Sequence, residues 1–373
     1  MTRIVHVTTG LGLGGAETAL FRLLSVLQPE KRTDHAVISL TPGCRFDFAG
    51  IGVPVRVADV KALGLGRGFC ALRRALCEER PDAIHAWMMH ACIAAALAAP
   101  RGVPVIWGLR HALKGLGAEK RAFRMLVGTG VAIGRLPRVR RIVFVSATGR
   151  EQHLRIGYPA AKCLTIPNGF DLDAFRPDEG RRAAMRSSLG VEPDALLVGS
   201  FGRVHPAKNH PLLLRGFATA ARDFPRARLV LAGSGTEGGD ADFDRLVEQS
   251  GLGDRILRLG PRADMAALYD ALDLYAQSSG TEAFPNVLGE ASAAGVPCVA
   301  TDVGDSALIL GGTGRLVTSG DEAAFAAALG DLMALSPAER AAEGARARAH
   351  VAARFGRDAV ADAWRALYAE LAS

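Results

Sequence analysis

Two doubly wound α/β domains in tandem are what this 373-residue sequence predicts. Three observations point there. Short apolar runs bounded by turn residues alternate with stretches of helical periodicity, as βαβ units on parallel sheets require. The alternation breaks once, at "IPNGFDLDAFRP" (166–177), where Asn-Gly lies between two prolines, and then restarts. A chain of this length, 49% apolar and 22% charged, can bury two cores of ordinary size.

In chain order, strands are expected at 4–8, 35–40, 83–86, 103–107, 141–145 and 163–166, with helices between them that include 18–27 and 68–79. After the break, strands follow at 196–199, 228–232, 256–259, 274–277 and 297–300. The Ala-rich tail is helical with a break near Gly356. The division is therefore residues 1–168, a hinge segment at 169–195 and a second domain at 196–355, with the last helix, 356–373, expected as a candidate to pack back on the first domain.

Composition narrows the function. The cysteines Cys44, Cys70, Cys77, Cys92, Cys163 and Cys298 form no C-x-x-C pair and no His–Cys cluster. They read as small apolar residues in a reducing compartment, with no zinc or disulfide framework. The apolar run 91–100 is too short to span a bilayer, and no secretory signal precedes the first strand, so a cytoplasmic protein is expected. Charge is divided unevenly: residues 1–168 hold 24 Lys and Arg against 10 Asp and Glu, and the remainder holds 21 against 28. The first half is suited to meet something anionic.

The stretch "GLGLGG" (10–15) after the first strand has G-x-G-x-x-G spacing, which can hold a pyrophosphate at a helix N-terminus. A nicotinamide dinucleotide would also need an acid at the end of the second strand, and the nearest, Asp34, stands before that strand. The alternative is that Gly14 and Gly15 let the backbone approach a ligand of another kind held between the two domains.

Three stretches in the second half supply what a sugar nucleotide needs. In "FGRVHPAKNH", Arg203 and Lys208 stand just past a strand and can neutralise a diphosphate without metal. "LVLAGSGTEGG" runs a strand into a glycine turn open to a flat ring. "SSGTEAFPNVLGEASAAGVPCVAT" carries Glu282 and Glu290 at E-x7-E spacing, with "FPN" starting a helix whose early N–H groups are available to phosphate. The two carboxylates then face one ligand, Glu282 accepting from hexose hydroxyls and Glu290 from the ribose.

With these residues in place, the chain resembles the family 4 retaining glycosyltransferases of the GT-B fold. The likeness rests on "GGAE" (14–17), "IPNGFD" (166–171), "GRVHPAKN" (202–209), "LAGSG" (231–235), "RLGPRADM" (258–265) and "EAFPNVLGEASAAGVPCVATDVGD" (282–305), in the family's order. It implies two Rossmann-like domains facing a central cleft. The nucleotide-diphosphate sugar would sit mainly on the C-terminal domain and the acceptor on the N-terminal one. It implies Arg203 and Lys208 on the diphosphate, Glu282 on the transferred sugar, Glu290 on the ribose, and Arg262 beside the base through its backbone. Phe284, Pro285, Asn286, Val287 and Leu288 belong to the same donor site, with Gly14 and Gly15 across from it. Three positions depart from the family pattern: Ala283 replaces a usual Gly, Gly289 replaces a bulkier residue, and the loop His near the reacting sugar is met by Arg110 with His111 beside it.

Two further features bear on partners. "DLD" (171–173) has the spacing of a metal motif in another glycosyltransferase fold, but within the hinge it reads as a turn, and no metal or cofactor is expected. Between Arg110 and Arg150 there are ten Lys and Arg and one acid, Glu119, around the apolar run 125–133. That pattern fits a buried helix with basic ends, or a segment lying on an anionic membrane. Residues 120–141 hold one aromatic, Phe123, too little to stack bases, so nucleic acid is not expected. The function expected is metal-independent transfer of a hexose to a glycan or lipid-linked acceptor, at most peripherally on a membrane. The rivals are a nicotinamide-dependent oxidoreductase and a catalytically silent nucleotide-sugar-binding protein.

Overall fold

The computed structural model describes residues 1–12, 14–113 and 121–372, which divide into two units: 1–169 with 357–373, and 170–356. In chain order, unit one comprises β1 (Thr2–Thr8), α1 (Gly15–Leu27), β2 (Thr33–Ser39), β3 (Val55–Val57), α2 (Val60–Glu79), β4 (Ala83–Trp87), α3 (Met89–Ala98), β5 (Val105–Leu109), α4 (Arg121–Gly134), β6 (Val139–Phe144), α5 (Ala147–Arg155) and β7 (Cys163–Thr165). Its strands form a parallel sheet in the order β3-β2-β1-β4-β5-β6-β7.

Unit two follows with α6 (Glu179–Ser188), β8 (Leu197–Phe201), α7 (His210–Ala220), β9 (Arg228–Ala232), α8 (Ala241–Gln249), β10 (Ile256–Arg258), α9 (Met265–Ala271), β11 (Leu274–Gln277), α10 (Asn286–Ala293), β12 (Cys298–Thr301), α11 (Ser306–Leu310), β13 (Arg315–Val317), α12 (Glu322–Ala334) and α13 (Pro337–Phe355). Its parallel sheet runs β10-β9-β8-β11-β12-β13. The last helix, α14 (Arg357–Ala372), counts with unit one.

The central strands read as unbroken apolar runs because helices cover both faces of each sheet. In unit one Trp107, Ile142 and Phe144 pack with α3 and α4 on one face, and Trp364, Leu367 and Tyr368 of α14 pack with Leu20 and Leu24 of α1 on the other. In unit two Phe217 and Phe325 anchor α7 and α12 over β8, β9 and β11. Residues 170–195 group with unit two: α6 sends Arg182 to Asp273 (2.7 Å) and Arg186 to the same carboxylate (3.2 Å), just before β11.

Three elements differ from the sequence expectation. The three-residue edge strands β3 and β13 carry no buried apolar run and so gave no periodic signal. Helix α2 begins at Val60, where the Asp59 side chain caps Ala62 N–H at 3.3 Å, and it kinks at Gly64 (φ 73°). The glycine that bends it also hides its first turns from a helical pattern.

Candidate active site

Doubly wound sheets bind ligands at the carboxyl ends of the strands where the order reverses. In unit two that reversal falls between β8 and β11. Arg203 and Lys208 follow β8, and Glu282 and Glu290 follow β11, so four sequence-predicted residues flank the reversal. The Lys208 ammonium is 2.5 Å from Glu282 Oε1, both half-buried. Ser279 Oγ donates to the same carboxylate oxygen at 2.8 Å, and Ser278 Oγ donates to the Lys208 carbonyl at 2.8 Å. These bonds tie the loop after β8 to the loop after β11 and fix where the cation stands. Arg203 is exposed.

Glycines let these loops approach. A Cβ on Gly233 (φ 142°) would stand 2.2 Å from the Gly202 carbonyl oxygen, so only glycine lets the turn after β9 lie against the loop carrying Arg203. Val204 N–H donates to Ser234 O across that contact at 2.8 Å. Gly304 (φ 57°) plays the same part beneath Glu282 and Ala283, whose carbonyl oxygens a Cβ there would meet at 2.5 Å.

Helix α10 starts after Pro285 with no side-chain cap, so its positive end is not masked by a side chain of its own. Glu290, one turn in, is buried. The Tyr269 hydroxyl, from α9, lies 3.2 Å from Glu290 Oε2 and 3.0 Å from the Val287 carbonyl. Burial, with the Glu290 carboxylate beside it, pushes that hydroxyl well above its usual pKa, so it stays a donor. Tyr269 was missed in the sequence because its helix reads as apolar. The available signal is that a tyrosine in a buried run needs a partner for its O–H.

The other predicted donor-site residues divide by role. Phe284 and Leu288 are buried packing residues; Phe284 stacks on Phe170 with centroids 6.0 Å apart. Phe170 also explains the small Gly289, since a Cβ there would lie 2.0 Å from the Phe170 ring. The Arg262 side chain, on the loop after β10, is engaged by Asp264 (Nε to Oδ1, 2.8 Å). Asp171 of "DLD" accepts from the N–H groups of Asp173 (3.1 Å) and Ala174 (3.0 Å), a turn. Among the described residues no group of three or more His, Cys, Asp or Glu could hold a metal ion.

In unit one the order reverses between β1 and β4. The glycine loop follows β1; Gly14 is the extended N-cap of α1, Gly15 its first residue, and a Cβ on Gly14 would meet the Glu17 carboxylate at 2.4 Å. Leu13 lies outside the described residues. No acid stands at the carboxyl end of β2: Asp34 sits at its start, paired with Arg3. His111 is turned into the packing of unit one, its ring 5.4 Å from those of Phe123 and His153. Burial lowers its pKa to about 4, and its buried Nε2 has no partner among the described residues. The adjoining Arg110 instead stacks over Trp87 at 4.3 Å and donates to Asn168 Oδ1.

Two family models match this chain, Glycosyltransferase Family 4 over residues 13–174 and Glycosyl transferases group 1 over residues 192–334. The chain belongs to the family 4, or group 1, glycosyltransferases. Within the family it is 36% identical over 219 residues to the D-inositol 3-phosphate glycosyltransferase of Mycobacterium tuberculosis. That match spans 57% of this chain and 44% of the relative, under half its length. Among solved structures, HepE of Anabaena in complex with UDP and glucose superposes with a TM-score of 0.87 at 22% identity, over 99% of this chain and 100% of that one. Sucrose-phosphate synthase of Thermosynechococcus elongatus gives 0.83 at 21% identity, over 100% and 99%. The fold is GT-B, and the nicotinamide reading of the glycine loop has no support.

Proposed function

We propose that this glycosyltransferase moves a hexose from a nucleoside-diphosphate sugar to an acceptor, with retention of anomeric configuration and without a metal ion. The observation that carries the reading is the Lys208–Glu282 pair at the β8/β11 reversal, with Arg203 exposed on the same loop as Lys208. In this reading the guanidinium and ammonium stabilise charge growing on the departing diphosphate, where fixed cations act most strongly. Glu282 accepts from hydroxyls of the sugar under transfer. Glu290, oriented by Tyr269, accepts from the ribose, and the loop bearing Arg262 lines the base through its backbone. The UDP complexes of HepE make uridine the first base to test.

For the acceptor, unit one is the basic partner, and a lipid-linked or surface-glycan precursor suits its charge. Helix α4 supports that reading: Arg121, Met125, Gly128 and Ala132 follow one another on its exposed side, with Met125 66% exposed. Lys120, at the start of the basic segment, lies outside the described residues. Among those residues no helix is long and apolar enough to cross a membrane, so a surface association is the form proposed.

The test is product analysis. Purified chain is incubated with a panel of nucleotide sugars and candidate acceptors in EDTA, and the new linkage is read by proton NMR. An axial donor giving an axial product supports the reading. Inversion overturns retention, strict Mn²⁺ dependence overturns metal independence, and nucleotide binding with no transfer to any acceptor favours the silent-protein alternative.

A further inference from the structure

Arg110 is a half-buried cation whose described neighbours are all neutral. It follows directly on the central strand β5, and its guanidinium stacks on the Trp87 indole at 4.3 Å. Its hydrogen bond goes to the amide oxygen of Asn168, beyond β7. Beneath it, Trp87 Nε1 donates to His6 Nδ1 at 3.1 Å, and His85 Nδ1 lies 2.8 Å from the Tyr368 hydroxyl. Burial keeps His6 and His85 uncharged at neutral pH, and the tyrosine is neutral there too. No carboxylate pairs with Arg110 among the described residues, whereas half-buried Arg3, Arg182 and Arg258 each have one.

An arginine taken partly out of water is costly unless a counter-charge meets it. Desolvation by burial lowers its pKa to about 10. A neutral amide and an aromatic face orient the guanidinium fork without neutralising it, as befits a site whose anion arrives with the ligand. The position is the carboxyl edge of the sheet of unit one, beside the loops after β4 and β7, where a doubly wound sheet receives ligands.

We propose that Arg110, held by Trp87 and Asn168, binds a phosphate group carried by the acceptor. This deepens the transferase reading and rests on it for the word acceptor. The phosphate site itself stands independently of donor and turnover. Arg110 offers two parallel N–H donors to one phosphate, a geometry that lysine cannot reproduce.

The test uses intrinsic fluorescence of the full chain. All three tryptophans, Trp87, Trp107 and Trp364, lie in unit one, and a variant lacking Arg203 and Lys208 controls for an anion bound at those cations. Inorganic phosphate is titrated into wild type and into the Arg203→Ala/Lys208→Ala double variant, with sodium chloride at matched ionic strength as control. A saturable change in both, absent with chloride, is expected. Arg110→Gln should weaken the midpoint at least tenfold, Arg110→Lys less, and Asn168→Asp, which supplies the missing carboxylate, should suppress the response in a folded protein. Glucose 6-phosphate and phosphatidic acid vesicles, each competed with phosphate, then distinguish a soluble from a lipid-borne source. No saturable response in wild type, or an unchanged midpoint in both Arg110→Gln and Asn168→Asp, overturns the proposal. Loss of nucleotide binding or turnover elsewhere would sink the transferase reading and leave this result intact.

Discussion

At the scale of single residues, the site depends on side chains whose position is fixed by neighbours. Lys208 is held by Glu282, and Glu290 by Tyr269. Removing the Lys208 ammonium takes away a preorganised cation, so Lys208→Ala should lower kcat by about 10²–10³-fold. Glu282→Gln should cut kcat more than nucleotide affinity, because its proposed partner is the sugar. Glu290→Gln should weaken nucleotide binding about 10–100-fold, the worth of a hydrogen bond to a charged group. Steady-state kinetics and nucleotide titration separate the two, and equal effects on kcat and affinity in both variants would contradict the assignment. The placement of Arg203, Lys208, Glu282 and Glu290 past strand ends was legible in the sequence, because apolar runs mark the strands; the roles proposed for them came with the family resemblance. Tyr269 was not legible, because its role appears only when α9 is packed against α10. Nor was the burial of His111, which depends on Phe123 and His153 from two later helices.

At the scale of elements, two packing arrangements make direct predictions. Gly289 of α10 leaves room for the Phe170 ring, which stacks on Phe284. Gly289→Val should therefore destabilise the protein by about 1–3 kcal/mol through overpacking. Phe170→Leu in the same chain should recover part of that loss, read as coupling in a double-mutant denaturation cycle. Strict additivity would mean the two do not share the space. Helix α14 docks on His85 through Tyr368 (2.8 Å) and Trp364, with His6 and His35 3.1 Å apart behind it. Burial lowers His35 to about 4, whereas an unfolded histidine titrates near 6.5. Between those values the unfolded chain binds more protons, so stability is whole above about pH 6.5 and falls as pH drops towards 4. The urea midpoint followed by tryptophan fluorescence should be lower at pH 4.5 than at pH 7.5, and an unchanged midpoint would contradict the neutral cluster. The long central strands were legible as apolar runs. The edge strands β3 and β13 were not, because three half-exposed residues carry no period.

At the scale of the whole molecule, the break at 166–177 and the break before the last helix could be read from turn residues and from Gly356. The grouping of 170–195 with unit two could not, since it rests on Arg182 and Arg186 reaching Asp273. The charge division, 24 cations to 10 acids in residues 1–168, belongs to this scale as well. Anionic vesicles should sediment the protein at low salt and release it at high salt, and Arg121→Glu with Arg124→Glu should weaken the association. Failure to sediment at low salt would remove the membrane from the account. The central claim is that unit two holds a nucleoside diphosphate through Arg203 and Lys208 without metal. Calorimetric titration of the full chain with UDP, GDP and ADP in EDTA tests it most directly, run on wild type and on Arg203→Ala/Lys208→Ala. The account predicts saturable binding of at least one nucleotide to wild type, and at least tenfold weaker binding to the double variant. Equal affinity in the two proteins, or binding that appears only when a divalent metal is restored, would contradict it.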